Sequence, residues 1–175
     1  MIWLHDSIEA IRDFMALGGP ILFWIALTIF VMWVLIIERL IYFRTTMRTL
    51  LTDTQAQWEA RTERRSWHAH QIREAMISRF EAATQGSIPM IQTMVALCPL
   101  MGLLGTVTGM IAVFEVMAIS GSGNIRAMAA GVSQATIPTM AGMVGALSGV
   151  LLVTLLNRRA VREVEFLSDS LTMDH

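Results

Sequence analysis

The side chains that could do chemistry sit where the sequence is otherwise apolar. Thr106 and Thr108 lie in one hydrophobic run, and Ser133, Gln134, Thr136 and Thr139 in the next. Hydroxyls and an amide donate and accept hydrogen bonds without ionising near neutral pH. They can hold water or the polar group of another chain. No Asp, Glu, His, Lys or Arg interrupts either run, or the earlier run Phe14–Ile37. A proton relay needs titrating groups at membrane depth, so this chain by itself offers none, and a partner helix would have to bring one. Pro138 lacks the N–H that would bond the carbonyl of Gln134, so a polar side chain and a freed backbone acceptor coincide at an expected kink, and Pro99 predicts a second one. Glu115 follows directly on the second run, where it reads either as an ordinary interfacial carboxylate or as one that attracts protons to the outer end of that span.

These groups must be positioned by membrane-spanning helices. The chain of 175 residues is 54% hydrophobic and 15% charged, against about a quarter charged in a soluble domain. The uncharged runs Phe14–Ile37, Ala82–Phe114 and Ala127–Asn157 each exceed the roughly 20 residues that cross a hydrocarbon core. The expected fold class is therefore an all-α integral membrane protein with three transmembrane helices. Its segments are an amphipathic helix on the outer face over residues 1–17, a first span over 18–38, a cytoplasmic helical hairpin over 39–86, and a second span over 87–115. A short periplasmic loop over 116–126, a third span over 127–157 and a cytoplasmic tail over 158–175 complete it.

Orientation follows from arginine, which supplies all 13 basic residues. Arg39, Arg44, Arg48, Arg61, Arg64, Arg65, Arg73 and Arg79 lie between the first two runs, and Arg158, Arg159 and Arg162 follow the third. Only Arg12 and Arg126 fall on the other side. The positive-inside rule then places the N-terminus outside and the C-terminus in the cytoplasm. The acidic residues Asp6, Glu9 and Asp13 argue against a cleavable signal and for retention of the first span. Leu4, Ile8, Ile11 and Met15 recur at helical spacing, Asp6 and Glu9 suggest a capping box, and Gly18-Gly19-Pro20 predicts a break before the span.

Several classes are excluded. A formal net charge of -1 without a Lys-rich tract gives no footprint for nucleic acid. Cys98 is the only cysteine, so neither an internal disulfide nor a thiolate metal cage can form. His68 and His70 are two apart and do not share a helix face, which makes them solvated side chains rather than metal ligands. No cofactor is called for, and no nucleophile with its base appears in the spans, so an enzyme is not expected. The hairpin is expected to pack through Phe43, Met47 and Leu50 on one leg and Ile72, Met76 and Phe80 on the other. Val161, Val164, Ser168 and Leu171 of the tail would form a stripe against it.

The second and third runs are rich in glycine, with Gly102, Gly105 and Gly109 in one and Gly131, Gly142, Gly145 and Gly149 in the other. Gly105 with Gly109, and Gly145 with Gly149, form GxxxG pairs, which let helix backbones approach closely in a bilayer. Small residues cover more than one face, which implies contacts with other subunits as well as within one.

The stretch Cys98-Pro99-Leu100-Met101-Gly102-Leu103-Leu104-Gly105-Thr106-Val107-Thr108-Gly109-Met110, followed by Phe114, closely resembles the second-span signature of the ExbB/TolQ/MotA proton-channel family. Gly131-Val132-Ser133-Gln134-Ala135, with Thr139 and Gly142, resembles its third-span pattern. The resemblance is strongest to a short ExbB protein of a TonB system. It implies a homo-oligomer, a pentamer, in the bacterial inner membrane around an ExbD-like single-span partner. That partner supplies the titrating aspartate, and a TonB-like energy transducer uses the proton gradient for outer-membrane transport. The resemblance makes Thr106 and Thr139 pore-lining threonines, and it puts Gln134 where the family usually has a glutamate. A TolQ-like subunit of the Tol-Pal system is the alternative within the family, and a non-conducting membrane assembly scaffold is the alternative outside it. Four spans and a larger cytoplasmic domain in the MotA branch disfavour a flagellar stator.

Overall fold

The computed structural model of the chain describes residues 2–61, 63–64, 66–120 and 125–172, with side chains at all of these except 2–8, 10, 11, 13, 14, 16, 17, 120 and 127. All its regular structure is helical: α1 (Ile2–Arg44), α2 (Thr46–Glu59), α3 (Trp67–Gln85), α4 (Ile88–Ser120) and α5 (Ile125–Ser170). Three of its helical stretches are long and apolar enough to cross a membrane. Helix α4 runs past Glu115 to Ser120, and α5 runs on unbroken from the third apolar run to Ser170. Residues 121–124 of the expected loop over 116–126 lie outside the described residues, as do residues 62 and 65 of the expected hairpin.

Helix α1 is two helices joined at Gly19, whose φ of 68° and ψ of -172° leave the helical region. A positive φ suits glycine, and Pro20 both ends the preceding helix and sets the first φ of the next. The first part is already helical at Ile2, so Asp6 lies inside the helix and does not cap it. The expected apolar stripe of this part falls mostly on side chains outside the described ones. By contrast, α4 and α5 continue as helix through Pro99 and Pro138.

The chain divides into two compact units, each with its own core. The first, Met1–Trp33 with Thr93–Val150, buries Leu22, Ile25 and Met32 of α1 with Val95 and Cys98 of α4 and Ala135 and Ala146 of α5. In it Thr28 of α1 closes on its own backbone at Trp24 and reaches the Sδ of Met101 at 3.5 Å.

The second unit, Val34–Gln92 with Leu151–His175, packs Met47 and Trp58 of α2, Ala69 and Phe80 of α3, Leu167 of α5 and Leu171 just beyond it into one cluster. Phe43, Leu50, Met76 and Val164 border it. The expected stripe on the chain's end is shifted at one position: Val164 borders the cluster and Leu171 is buried in it, whereas Val161 is 45% exposed and Leu167, six residues further on, is fully buried. Polar groups lock the same cluster. The indole of Trp58 donates to the carbonyl of Thr172 at 3.1 Å, and Arg73 donates to the carbonyls of Leu171 and Ser168 at 2.7 and 2.6 Å. Ser66 caps α3 by accepting from the N–H of Ala69.

Where α3 ends, Arg39 of α1 is only 4% exposed and donates to the carbonyls of Ala83 and Thr84 while stacking on Tyr42 and Phe43. Those carbonyls belong to the last turn of a helix, where intrahelical donors run out and a cation is favoured. Arg39→Ala should therefore cost about 2–4 kcal/mol, because buried charge-assisted hydrogen bonds and their stacking are lost together. Chemical denaturation in detergent micelles checks it, and a loss under about 0.5 kcal/mol would mean the clamp is idle.

Candidate functional site

The polar residues of α4 and α5 fall into three groups. The first sits at the helix seam. The hydroxyl of Thr139 donates to the carbonyl of Gly102 at 2.9 Å, a bond that ties α5 to α4. It is possible because Gly102 has no side chain: a Cβ there would meet the Cα of Thr139 at 3.0 Å and the carbonyl oxygen of Pro138 at 3.1 Å. Thr106, half-buried, instead closes on its own helix at the carbonyl of Leu103, 2.6 Å away. Thr139→Val should cost about 0.6 kcal/mol and at most about 1.7, the range for interhelical hydrogen bonds in membranes. A double-mutant cycle is ruled out by the backbone acceptor, so the check is the unfolding midpoint against that of Thr106→Val, which breaks no interhelical bond.

The second group surrounds the break in α1. Gln134 and Thr108 line a cavity of about 290 Å³ with Gly18, Gly19 and Pro20. The amide nitrogen of Gln134 lies 3.2 Å from the position a Cβ on Gly19 would take. Thr108 donates to the carbonyls of Leu104 and Gly105, at 3.1 and 3.0 Å, which leaves its oxygen able to accept. The third group faces away: Ser133, Thr136 and Glu115 are exposed, and Thr136 donates to the carbonyl of Ser133 at 3.0 Å. The structure thus places Gln134 and Thr108 on one cavity and Thr139 against Gly102, and does not gather the expected pathway residues Thr106, Thr108, Ser133, Gln134 and Thr139 at one point.

The glycines have a definite partner each, and it lies within the subunit. A Cβ at Gly105 would strike the buried Pro138 ring at 2.4 Å, at Gly109 the Cα of Ala135 at 2.6 Å, and at Gly142 the carbonyl oxygen of Cys98 at 2.5 Å. Gly131 receives Val113, Gly145 receives Ile29 of α1, and Gly149 receives Val95 and Met32. The second GxxxG face is thus occupied within the chain, Gly145 by α1 and Gly149 by both α1 and α4. What α4 and α5 leave exposed is large and apolar, for instance Leu103, Val107 and Phe114 on α4 and Met140, Val144 and Leu147 on α5.

Sequence reasoning missed two features. Arg39 counted among the orienting arginines, yet it is a buried clamp, and nothing in its local sequence separates it from Arg44. The pairing of Gln134 with the α1 break also lacked a local signal, although Gly18-Gly19-Pro20 marked the break itself.

Helices of this length and hydropathy, with hydroxyls and an amide at the seams and no Asp, Glu, His, Lys or Arg in the apolar runs, define a multi-pass helical membrane protein. Residues 42–169 match the profile of the MotA/TolQ/ExbB proton channel family, and the chain belongs to that family. Among curated relatives, it is 41% identical over 70 residues to the biopolymer transport protein ExbB-like 1 of Synechocystis sp., a stretch covering 38% of this chain and 28% of the relative. It is 28% identical over 98 residues to ExbB-like 3 of the same organism, covering 51% of this chain and 47% of the relative. The match thus spans less than half the length of either relative. No solved structure is significantly similar.

Proposed function

We propose that the chain is a non-enzymatic proton-channel subunit of an ExbB-type motor in the bacterial inner membrane. Several copies, five by the family resemblance, surround the single-span helices of an ExbD-like partner whose aspartate carries the proton. The resulting motion drives a TonB-like transducer that energises outer-membrane transport. The observation that carries this reading is the division of polar chemistry in the apolar runs: hydroxyls and an amide able to solvate a proton carrier, and no group able to be one. In this reading the arginine-rich side faces the cytoplasm, and copies meet through the exposed large apolar faces of α4 and α5, since the glycines are occupied within each subunit.

Reconstitution tests it. Liposomes holding the purified chain alone should show no proton flux above empty liposomes, because unpaired charge at the bilayer centre costs at least about 2.5–3.5 kcal/mol. Co-reconstitution with the single-span partner should produce flux, and replacing the partner's aspartate by asparagine should abolish it. Robust flux from the chain alone would overturn the proposal, and no flux with the intact partner would favour a scaffold.

A further inference from the structure

Within the second unit, α1 and α5 both change from apolar to cationic along the same cavity. On α1, Ile36, Leu40 and Arg44 follow at steps of four, and on α5, Leu152 and Leu156 lead to Arg159 and Arg162. All seven, with Arg158, line a cavity of about 300 Å³. A second cavity of about 440 Å³ shares Arg44, Arg159 and Arg162 and adds Arg48, with Glu163 its one acidic residue. Among the described residues, none of these arginines is ion-paired, and Arg44, Arg158, Arg159 and Arg162 are exposed. The switch falls where the apolar run of α5 ends, at Asn157, and just beyond where that of α1 ends, at Ile37.

We infer that this cavity is a binding site for one acidic phospholipid, with the phosphate held by Arg159, Arg162 and Arg44 and the first methylenes of an acyl chain laid against Ile36, Leu152 and Leu156. Eight residues separate Ile36 from Arg44, which spans about 12 Å along a helix, the scale of a headgroup with its glycerol and the top of a chain. Guanidinium groups pair with phosphate through two parallel hydrogen bonds, and four of them line this cavity with no acidic residue in its own lining, which favours an anion there. A free inorganic anion would satisfy the arginines and leave the apolar half of the lining bare, whereas an amphiphile matches both halves. The inference does not depend on proton conduction; it requires only that the helices cross a bilayer.

The test uses the full chain purified in mild detergent and returned to nanodiscs made of phosphatidylglycerol mixed equally with phosphatidylcholine. Native mass spectrometry then counts the lipid retained after release. Phosphatidylglycerol should be retained preferentially. With about a fivefold contribution per arginine near a charged lipid, the double variant Arg159→Gln, Arg162→Gln should lower that preference about twenty-fivefold. Arg44→Gln, read in the same assay, should lower it about fivefold and stands in if the double variant fails to fold. Arg126→Gln, at the other end of α5, should leave it unchanged. Equal retention of both lipids, or unchanged retention in Arg44→Gln, would overturn the site. Displacement of the lipid by millimolar inorganic phosphate would reassign it to a free anion, and loss of oligomer mass with retention unchanged would reassign it to a contact between copies.

Discussion

Gly142→Ala is expected to strip most of the folded protein from the membrane, while Gly145→Ala stays close to wild type, although the two sites lie one helical turn apart. The difference is what the new methyl meets. At Gly142 it would lie 2.5 Å from the carbonyl oxygen of Cys98 and 3.4 Å from the Cα of Gly102, so α4 itself must retreat. Retreat also pulls the carbonyl of Gly102 away from Thr139, whose hydroxyl it accepts at 2.9 Å. At Gly145 the close atoms are Cδ1 and Cγ1 of Ile29, at 2.4 and 2.7 Å, and a side-chain end can turn aside where a backbone cannot. Any gain in helix propensity from alanine, about 1 kcal/mol, is common to both and cancels. Overpacking costs about 1–3 kcal/mol and more when backbone must move, so the two variants should differ by at least about 2 kcal/mol. Gly109→Ala, aimed at the Cα of Ala135 at 2.6 Å, belongs with Gly142. Reversible unfolding in mixed micelles measures all three, and equal losses at Gly142 and Gly145 would refute the assignment of these contacts.

The glycines also mark how far the sequence could be read. That Gly102, Gly105 and Gly109 face a helix was legible, because a residue without a side chain in a bilayer has little use except close approach. Which helix was not legible, since Gly142 and Gly145 are identical as residues and meet α4 and α1 respectively only in the folded chain. The spans themselves were plain because hydropathy is a local sum that needs no partner. Arg39 shows the opposite case. Its charge was counted toward orientation, but its role depends on the end of α3, some forty positions along, and no window of sequence contains both. The shifted stripe at the chain's end has the same origin: Val161 and Leu167 are both apolar residues of one helix, and the neighbouring cluster of Trp58 and Phe80 selects Leu167.

Gln134→Leu is expected to lower proton-driven activity of the reconstituted complex about tenfold, the equivalent of one lost hydrogen-bonding group, whereas Gln134→Glu should stay within about twofold. Leucine fills much the same volume, so packing against α4 and α1 survives and only polarity is removed. The cavity that Gln134 shares with Thr108 and the Gly18–Pro20 break is where that polarity acts. Backbone groups at the break lack helical partners on one side, and the ring of Pro138 denies the carbonyl of Gln134 its usual donor. An amide offers both a donor and an acceptor to such groups, or to a water that needs two to four polar contacts to stay. Glutamic acid in an apolar span stays protonated and keeps the same two capacities. Thr108→Val should fall with Gln134→Leu, because it borders the same cavity, while Thr136→Val, exposed and bonded only to its own helix, should leave flux unchanged. Flux is compared at matched incorporation, with thermal midpoints recorded alongside. If Gln134→Leu conducts normally while Thr139→Val does not, the working polar surface is the α4–α5 seam, and the cavity at the α1 break has only a structural part.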